Sequence, residues 1–318
     1  MKTIVYMIVW AVALQIGFVG CVREFPQEEC KEKETVQVEV ADLLPDSLAS
    51  FEDLRMRSVN LIFYPVSGEN PIKGSIVDTT GSISVPHGKY SLLIYSSDFF
   101  DLDGLFYRGM EQPETAEAYT HQHTRSDLVM QIEEPDPLFC FYTDDFDPEN
   151  QKEEEENEAD EQPVHVSVVL IPLVYTYRFK IRVEGLQNFR SATAIVTGMY
   201  TSVFLTNSCH REDEAAAMQV KMKKSTESAS EGFIYGEFRS FGSHQRNDVN
   251  HHISIVFNND ETKIVELDDL TIPIKSIPHG GEIVIKQKIV IKDSDGGEEG
   301  AFDPKVYDWD DVVIPLPV

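Results

Sequence analysis

Apolar and polar residues alternate with a period of two along much of the chain, and this alternation restricts the fold more than any other feature. Successive side chains of a β-strand point to opposite faces, so this period indicates strands with one buried and one exposed face. Residues 35–40 read TVQVEV, and residues 282–291 read EIVIKQKIVI. From Tyr175 to Val183 the apolar side chains alternate with threonine, arginine and lysine, which predicts one apolar and one basic face.

Short runs of this kind recur at short spacing with turn residues between them, and helical patterns are scarce. The sequence therefore predicts an all-β protein built from β-sandwiches. Residues 86–88 are Pro-His-Gly and are predicted to join two strands as a hairpin, whereas Pro172 is predicted to lie at a bulge or sheet edge. Residues 303–311 are predicted to contain a short helical turn. Further strands are predicted at residues 58–64, 128–132, 192–199, 233–238, 253–257, 263–267, 270–274 and 312–318.

The N-terminus sets the expected location of the protein. Lys2 precedes an apolar run from residue 4 to residue 18, which is too short for a comfortable membrane span of roughly 20 residues and is typical of a secretory signal. The run ends in Gly20-Cys21, which resembles the lipobox of bacterial lipoproteins, although Phe18 stands where leucine is usual. We predict that residues 1–20 are a lipoprotein signal peptide and that Cys21 carries the lipid. A plain signal peptide is the alternative.

A lipid on Cys21 would be sufficient to place the protein at a membrane. Each buried CH₂ of an acyl chain contributes about 0.8 kcal/mol, and stable anchoring takes more than one chain. We therefore expect a protein that is held on a membrane through the lipid on Cys21. Cys30, Cys140 and Cys209 remain, an odd number with no C-x-x-C pair, so a zinc site is not expected. A disulfide and buried free thiols both stay open.

The charge of the chain excludes one class of partner. The 55 Asp and Glu residues against 27 Lys and Arg give a net charge of −28, and nucleic-acid binding depends on Lys and Arg, so no nucleic-acid partner is expected. Residues 144–161 contain eleven acidic residues and one lysine. Such a block repels itself and buries little area, which predicts an acidic linker or loop over residues 144–163. A calcium site there is the less favoured alternative, since the ligand order is wrong.

The chain lacks the motifs of the common catalytic sites. It has no nucleophile elbow, dinucleotide-binding loop, P-loop or H-E-x-x-H sequence, so we expect no catalytic residue, cofactor or metal. His121 and His123 would share one face of a strand, but no third ligand can be placed, and solvated histidines are favoured. Residues 98–104, DFFDLDG, are interpreted as an acidic turn rather than a calcium loop. The aromatic residues between 175 and 179 are interpreted as core rather than as a sugar platform.

Short motifs spread over most of the mature chain carry a resemblance to a known family. Besides the lipobox ending at Cys21, they are NLIFYP at 60–65, VPHGKY at 85–90 with LLIY at 92–95, LIPL at 170–173, TGM at 197–199, the Phe-Gly pair at 241–242, and residues 302–314 around Trp309. Together they resemble the fimbrillin-type minor pilus lipoproteins, and their uncharacterised relatives, on the surface of Gram-negative anaerobes. None of these motifs is a catalytic signature.

The resemblance implies two tandem transthyretin-like β-sandwich domains, at residues 21–143 and 164–318. It also implies a non-enzymatic cell-surface lipoprotein that anchors, caps or initiates a fimbria-like fibre. In such fibres the partner would be a pilin-like subunit that adds a strand to an incomplete sheet, because unpaired N–H and C=O groups along an edge accept an incoming strand. The alternative is a surface lipoprotein that binds glycan through exposed aromatic residues. Only Trp309 lies in the mature chain, which weakens that alternative.

Overall fold

The structure, a computed structural model, describes residues 33–40, 58–77, 80–96, 104–124, 130–151, 164–225, 231–258, 262–267, 269–291 and 305–307. Apart from Lys33, these residues belong to one compact unit, Glu34–Val318. The strands up to the acidic segment are β1 (Lys33–Val40), β2 (Ser58–Pro65), β3 (Ile72–Val77), β4 (Thr80–Pro86), β5 (Tyr90–Ser96), β6 (Phe106–Arg108), β7 (Glu117–Tyr119), β8 (Gln122–Thr124), β9 (Met130–Ile132) and β10 (Phe139–Phe146).

The strands that follow it are β11 (Val164–Val168), β12 (Ile171–Pro172), β13 (Tyr175–Glu184), β14 (Ala192–Tyr200), β15 (Ser202–Phe204), β16 (Ala215–Lys221), β17 (Lys223–Lys224), β18 (Glu231–Ser240), β19 (Ile253–Asn258), β20 (Thr262–Glu266), β21 (Gly281–Val290) and β22 (Lys305–Tyr307). One α-helix, α1 (Thr271–Lys275), and 3₁₀ turns at Pro113–Thr115, Glu149–Gln151 and Leu186–Asn188 complete the described elements. No helix among these elements is long and apolar enough to cross a membrane.

The strands form five sheets. Sheet A has the order β11-β1-β4, sheet B the order β12-β10-β5-β2-β3, and sheet C the order β15-β7-β6. Sheet D has the order β20-β19-β14-β16-β9-β8, and sheet E the order β17-β18-β13-β21-β22. Pairing is mostly antiparallel, with parallel pairs at β1–β11, β13–β21 and β9–β16. The predicted all-β, sandwich-like fold is confirmed.

The first core lies between sheets A and B. The alternation of TVQVEV places Val36, Val38 and Val40 in this core. The central strands β2 and β5 are buried on both faces, because alternate residues of each strand face the first core and a second apolar cluster on the opposite side. This double burial explains why their sequences are continuous apolar runs, LIFY and LLIY, instead of alternating ones.

The second core lies between sheets D and E. Strand β13 supplies its apolar face to this core, and Tyr177, Phe179, Ile181 and Val183 are all 1% exposed or less. The basic residues of β13 face outward, as the alternation predicts. Burial of large aromatic side chains such as Phe179 and Phe238 stabilises the fold by roughly 1.5–3 kcal/mol each.

A third apolar cluster joins the two sandwiches, and the chain crosses it repeatedly. After β5 in sheet B the chain forms β6 and β7 of sheet C, and then β8 and β9 of sheet D. It returns to the first core with β10, β11 and β12 before β13 enters sheet E. The buried residues of the third cluster come from both sandwiches and from sheet C, and we call this region the junction: Ile62, Tyr64, Leu93, Tyr95, Ala116, Ala118, Leu138, Cys140, Leu173, Val174, Val203, Leu205 and Phe241.

Three local predictions are wrong. Residues 86–88 do not close a hairpin, because β4 and β5 belong to different sheets, and the turn carries the chain across the first core. Residues 270–274 are not a strand: Asp269 Oδ1 accepts the N–H of Thr271 at 2.9 Å and begins α1. Residues 305–307 form strand β22 rather than a helical turn, because their backbone pairs with β21.

Other predictions hold or lie outside the described residues. Pro172 occupies the edge strand of sheet B, as predicted. Strand β10 extends to Phe146, whose buried ring belongs to the first core, so the acidic segment begins as regular structure. The strand predicted at residues 312–318 lies outside the described residues. The division into domains at residues 21–143 and 164–318 stays a prediction, and β9 contributes Ile132 to the second core whereas β11 packs in the first.

Candidate functional site

The predicted lipid-attachment residue, Cys21, lies outside the described residues, as does Cys30. Cys140 and Cys209 are free thiols. Cys140 is buried in the junction, and burial raises the pKa of its thiol well above its usual range. Its Sγ donates to the carbonyl of Leu205 at 3.2 Å. Cys140 therefore acts as an apolar packing residue that is protonated at neutral pH.

His121 and His123 share an exposed surface, as their spacing predicts. Their rings lie 6.3 Å apart, and His123 Nε2 is 2.9 Å from the Glu133 carboxylate on the neighbouring strand segment. His121 also packs against the ring of Phe106 at 4.1 Å with a tilt of 54°. No set of three histidine, cysteine or acidic side chains in the described part of the chain is arranged to hold a metal ion.

Few contacts of the two acidic segments, residues 98–104 and 144–161, lie within the described residues. Most of residues 98–104 lie outside the described residues, and Gly104 donates its backbone N–H to Asp136 Oδ2 at 2.7 Å. Of the acidic segment, Asp147 accepts the N–H of Glu149 at 3.1 Å and so starts a 3₁₀ turn. This is the local turn chemistry of an aspartate and fits a solvated loop.

The aromatic residues do not form a flat exposed platform in the described structure. Tyr177 and Phe179 are core residues, as predicted, and the Tyr177 ring stacks on Phe238 at 5.2 Å. The half-exposed rings of Phe106 and Tyr119 are tilted by 38° to one another. Because these rings pack against each other at angles, their faces are not presented together to a sugar.

The edges of the described sheets are candidate sites for binding a further strand. Among the described residues, β3 in sheet B, β4 in sheet A and β20 in sheet D each pair on one side only. The β2–β3 and β19–β20 ladders are regular over their full length. A regular edge offers a row of backbone donors and acceptors to an incoming strand. Sheet E differs, because β21 is irregular against β13 and its end pairs with β22.

Strand β1 already occupies one position of the kind that an added strand would take. It lies in the middle of sheet A, between β11 and β4. Its register with β11 runs from Val36 opposite Val164 to Val40 opposite Val168. The valines of both strands meet in the first core, so β1 supplies both a ladder and a row of apolar side chains.

The junction contains a buried carboxylate that the sequence did not reveal. Glu117, 1% exposed, accepts from Arg108 Nε at 2.7 Å and Nη2 at 3.0 Å, and from Arg211 Nε and Nη2 at 2.8 Å each. Ser202 Oγ donates to the same carboxylate at 2.5 Å. Burial opposes ionisation of Glu117, but the hydrogen bonds from Arg211, Arg108 and Ser202 outweigh it and lower its pKa to about 2.

These contacts make Glu117 a link between distant parts of the chain. Arg108 and Glu117 lie on β6 and β7, Ser202 on β15, and Arg211 in the loop after β15. The guanidinium of Arg108 lies over the Tyr119 ring at 4.9 Å, and that of Arg211 lies 5.5 Å from the ring centre of Phe204. No local pattern in the sequence could identify this group, because its members are separated along the chain and no spacing rule connects them.

Three histidines form contacts between the loop after β18 and neighbouring parts of the chain. His210 Nε2 donates to the Phe241 carbonyl at 2.8 Å, and its ring stacks on Tyr200 at 3.9 Å. The ring nitrogens of His251 lie 3.2 Å from the Thr197 carbonyl and 2.9 Å from the His244 carbonyl. Burial lowers the pKa of both His210 and His251. These rings are structural and are not arranged around a substrate cleft.

Known proteins resemble this chain in fold. The family model described as Domain of unknown function (DUF5119) matches residues 49–221. No curated protein matches the sequence. A candidate adhesin from Bacteroides ovatus ATCC 8483 is 17% identical with a TM-score of 0.58, over 84% of this chain and 95% of that one.

Two further solved structures are more distant. The fimbrial anchor protein Mfa2 from Porphyromonas gingivalis is 11% identical with a TM-score of 0.48, over 87% of this chain and 98% of that one. A candidate polysaccharide-binding protein from Bacteroides thetaiotaomicron is 9% identical with a TM-score of 0.48, over 81% and 91%. The likeness to the adhesin establishes the fold and no activity.

Proposed function

We propose, from the premise that this chain belongs to the family Domain of unknown function DUF5119, that it is a non-enzymatic lipoprotein of the cell surface. Lipid on Cys21 holds it to the outer membrane, and it anchors, caps or initiates a fimbria-like fibre by accepting a strand from a pilin-like subunit. The observation that carries this proposal is the presence of regular strand edges, β3 and β20, paired on one side only within the described residues. Backbone along such an edge binds a strand without any reactive side chain.

The chemistry of the polar groups supports a binding role. The buried ionisable groups described above are satisfied by structural partners: Glu117 by two arginines, and His210 by a backbone carbonyl. A catalytic acid or base must instead be free to exchange a proton with substrate. The solved structure that shares this fold is described as a candidate adhesin, which fits the same class of function.

The lipid is tested separately from the fibre. Mass spectrometry of the mature protein from the native host is expected to find acyl chains on Cys21, and Cys21→Ala is expected to move the protein from the membrane to the soluble fraction. Cys209→Ala, at an exposed thiol in the described structure, is the matched control and should leave the protein on the membrane. An unmodified N-terminus would refute the lipid assignment.

The fibre role is tested by deletion and cross-linking in the native host. Loss of the gene is expected to change fibre length or release fibres into the medium, and cross-linking is expected to trap a fibre subunit. If fibres are unchanged and only a glycan binds the purified protein in a glycan array, the glycan-binding alternative replaces the fibre role.

A further inference from the structure

The outer faces of sheets D and E, on opposite sides of the second core, have different chemistry. On sheet E the arginines and lysines of β13 meet glutamates on the neighbouring strands, with Arg178–Glu237 and Arg182–Glu231 at 2.6 Å. Lys288–Glu184 at 2.8 Å and Lys180–Glu282 at 3.7 Å extend this lattice. Water and the paired charges already satisfy this face, so covering it would cost desolvation energy.

Sheet D presents two cross-strand rows to the outside that are almost free of charge. One row runs through Ile264, Val256, Thr193 and Lys221, and the other through Glu266, Ser254, Ile195 and Gln219. The charged side chains of these rows are Glu266 on β20 and Lys221 on β16, and the central positions on β19 and β14 carry valine, serine, threonine and isoleucine. In a chain with a net charge of −28, the uncharged centres of these rows are an area that a second apolar surface can cover at low cost.

This outer face of sheet D ends at β20, a strand with an open edge among the described strands. Ile264 is 63% exposed, although its neighbours Val265 and Leu267 are buried in the second core. Strand β20 pairs with β19 in a regular ladder and has no partner on its other side among the described strands. A strand added there would gain backbone hydrogen bonds and would extend the Ile264 row with its own side chains.

We propose that β20 and the outer face of sheet D are the acceptor surface for an uncharged strand, rich in β-branched residues, from a partner fibre subunit. The charge pattern selects against an acidic occupant: an acidic side chain beside Ile264 would lose hydration and would lie near Glu266 of the neighbouring row, without gaining a counter-ion. An uncharged strand loses no such hydration and buries Ile264 and Val256. This placement rests on the proposed fibre role and specifies where on the molecule the strand binds.

The structure offers a matched control on the other face. Val284 on β21 is 61% exposed, nearly as much as Ile264, and lies opposite Lys180 on the outer face of sheet E. Ile264→Glu and Val284→Glu therefore introduce the same charge at equally exposed positions of the same sandwich. Only the first places the charge on the proposed acceptor surface.

The experiment complements a deletion strain with wild type, Ile264→Glu or Val284→Glu and measures the fibres retained on cells. We expect Ile264→Glu to retain at least about tenfold fewer fibres than wild type, since 1.4 kcal/mol of lost binding is tenfold. Val284→Glu should retain fibres like the wild type. Thermal unfolding of the purified variants checks folding. If Ile264→Glu unfolds early, a photo-cross-linking residue at position 264 replaces it, and it should trap the fibre subunit when the same residue at position 284 does not.

The outcomes separate the two proposals. A deletion strain with normal fibres refutes the fibre role and this placement together. A deletion strain that loses fibres, combined with normal retention by a folded Ile264→Glu variant, overturns the acceptor surface and leaves the fibre role intact. Equal losses from Ile264→Glu and Val284→Glu, or equal cross-linking at both positions, also overturn the placement.

Discussion

The junction and the outer face of sheet E use the same chemical pair in two different environments. Glu117 binds Arg108 and Arg211 at 2.7–3.0 Å, and Glu237 binds Arg178 at 2.6 Å. The side chain of Glu117 is 1% exposed, whereas those of Arg178 and Glu237 are 50% and 51% exposed. Distance alone therefore does not distinguish the two sites, and burial does.

Burial changes what each pair contributes. A carboxylate removed from water must recover its hydration from fixed donors, and the two guanidiniums and the Ser202 hydroxyl supply them for Glu117. The exposed pair keeps its water whether or not it forms, and salt screens it. The Glu117 group therefore connects β6, β7 and β15 of sheet C with the loop that carries Arg211, whereas the sheet E lattice keeps that face hydrated.

Replacing Glu117 gives the largest expected effect. In Glu117→Gln the neutral amide cannot accept from both guanidiniums at once, so Arg108 and Arg211, which are 42% and 39% exposed, lose charge-assisted hydrogen bonds and recover part of them from water. We expect the free energy of unfolding to fall by about 1.5–3 kcal/mol, the usual contribution of hydrogen bonds to a charged group, because the two guanidiniums remain partly hydrated. Urea unfolding of the purified mature chain measures it.

The comparison between sites supplies the control for this measurement. Glu237→Gln makes the same chemical change in the exposed pair, so the difference between the two variants isolates the effect of burial. A loss under about 1 kcal/mol in Glu117→Gln would contradict this expectation, because the buried carboxylate would then contribute no more than an exposed ion pair.

The pH dependence of stability sharpens the same contrast. Since folding lowers the pKa of Glu117 from 4.5 to about 2, its contribution is fully present above pH 4.5 and is lost as the pH falls towards 2. A shift of this size corresponds to about 3 kcal/mol, at roughly 1.4 kcal/mol per pKa unit. Unfolding measured from pH 6 to pH 2 should show wild type and Glu117→Gln converging over this window. A gap that stays constant down to pH 2 would show that the carboxylate is not the titrating group.

The sequence predicts the strands well where periodicity and burial agree. The alternation in residues 175–183 and 282–291 foretold β13 and β21, because one face of each strand packs on a core and the other meets water. Residues 270–274 also alternate, yet they form α1, since Leu270 and Ile274 can share one helical face and Asp269 starts the turn. A short apolar alternation does not separate these two outcomes.

The sequence could not predict the junction or the acceptor surface. Chain crossings between sheets depend on which strands pair at long range, and no local pattern records that choice. Pro86–Gly88 looked like a hairpin because a turn there is certain, but the sequence does not say whether the next strand pairs beside β4 or crosses the core. Ile264 likewise reads as an ordinary strand residue until its neighbours in sheet D are known.

The histidines test a third kind of buried group, one that is held neutral. Burial lowers the pKa of His210 and His251 below the ordinary value of 6.5, so stability is fully present above pH 6.5 and is lost as the pH falls below it. We expect this loss to be smaller than that from Glu117, because the carbonyl contacts partly compensate a protonated ring. Urea unfolding at pH 7.5 and pH 5.5 measures the slope. His210→Gln keeps a donor to the Phe241 carbonyl and should reduce this slope. An unchanged slope would show that His210 does not contribute to the pH dependence of stability.

The smallest expected effect belongs to the exposed pair on sheet E. Glu237→Gln should lower the free energy of unfolding by only about 0.2–1 kcal/mol, because the Arg178 guanidinium stays hydrated at the surface. This small loss should shrink further between 0.05 and about 0.5 M salt, as screening removes the Coulomb attraction in wild type. Urea unfolding at both salt concentrations, with Glu117→Gln beside it, tests the comparison directly: the Glu117 loss should change little with salt, since ions do not reach a carboxylate that is 1% exposed. If the two losses fell together as salt rose, both carboxylates would be solvated, and burial would no longer explain the difference between the junction and the surface.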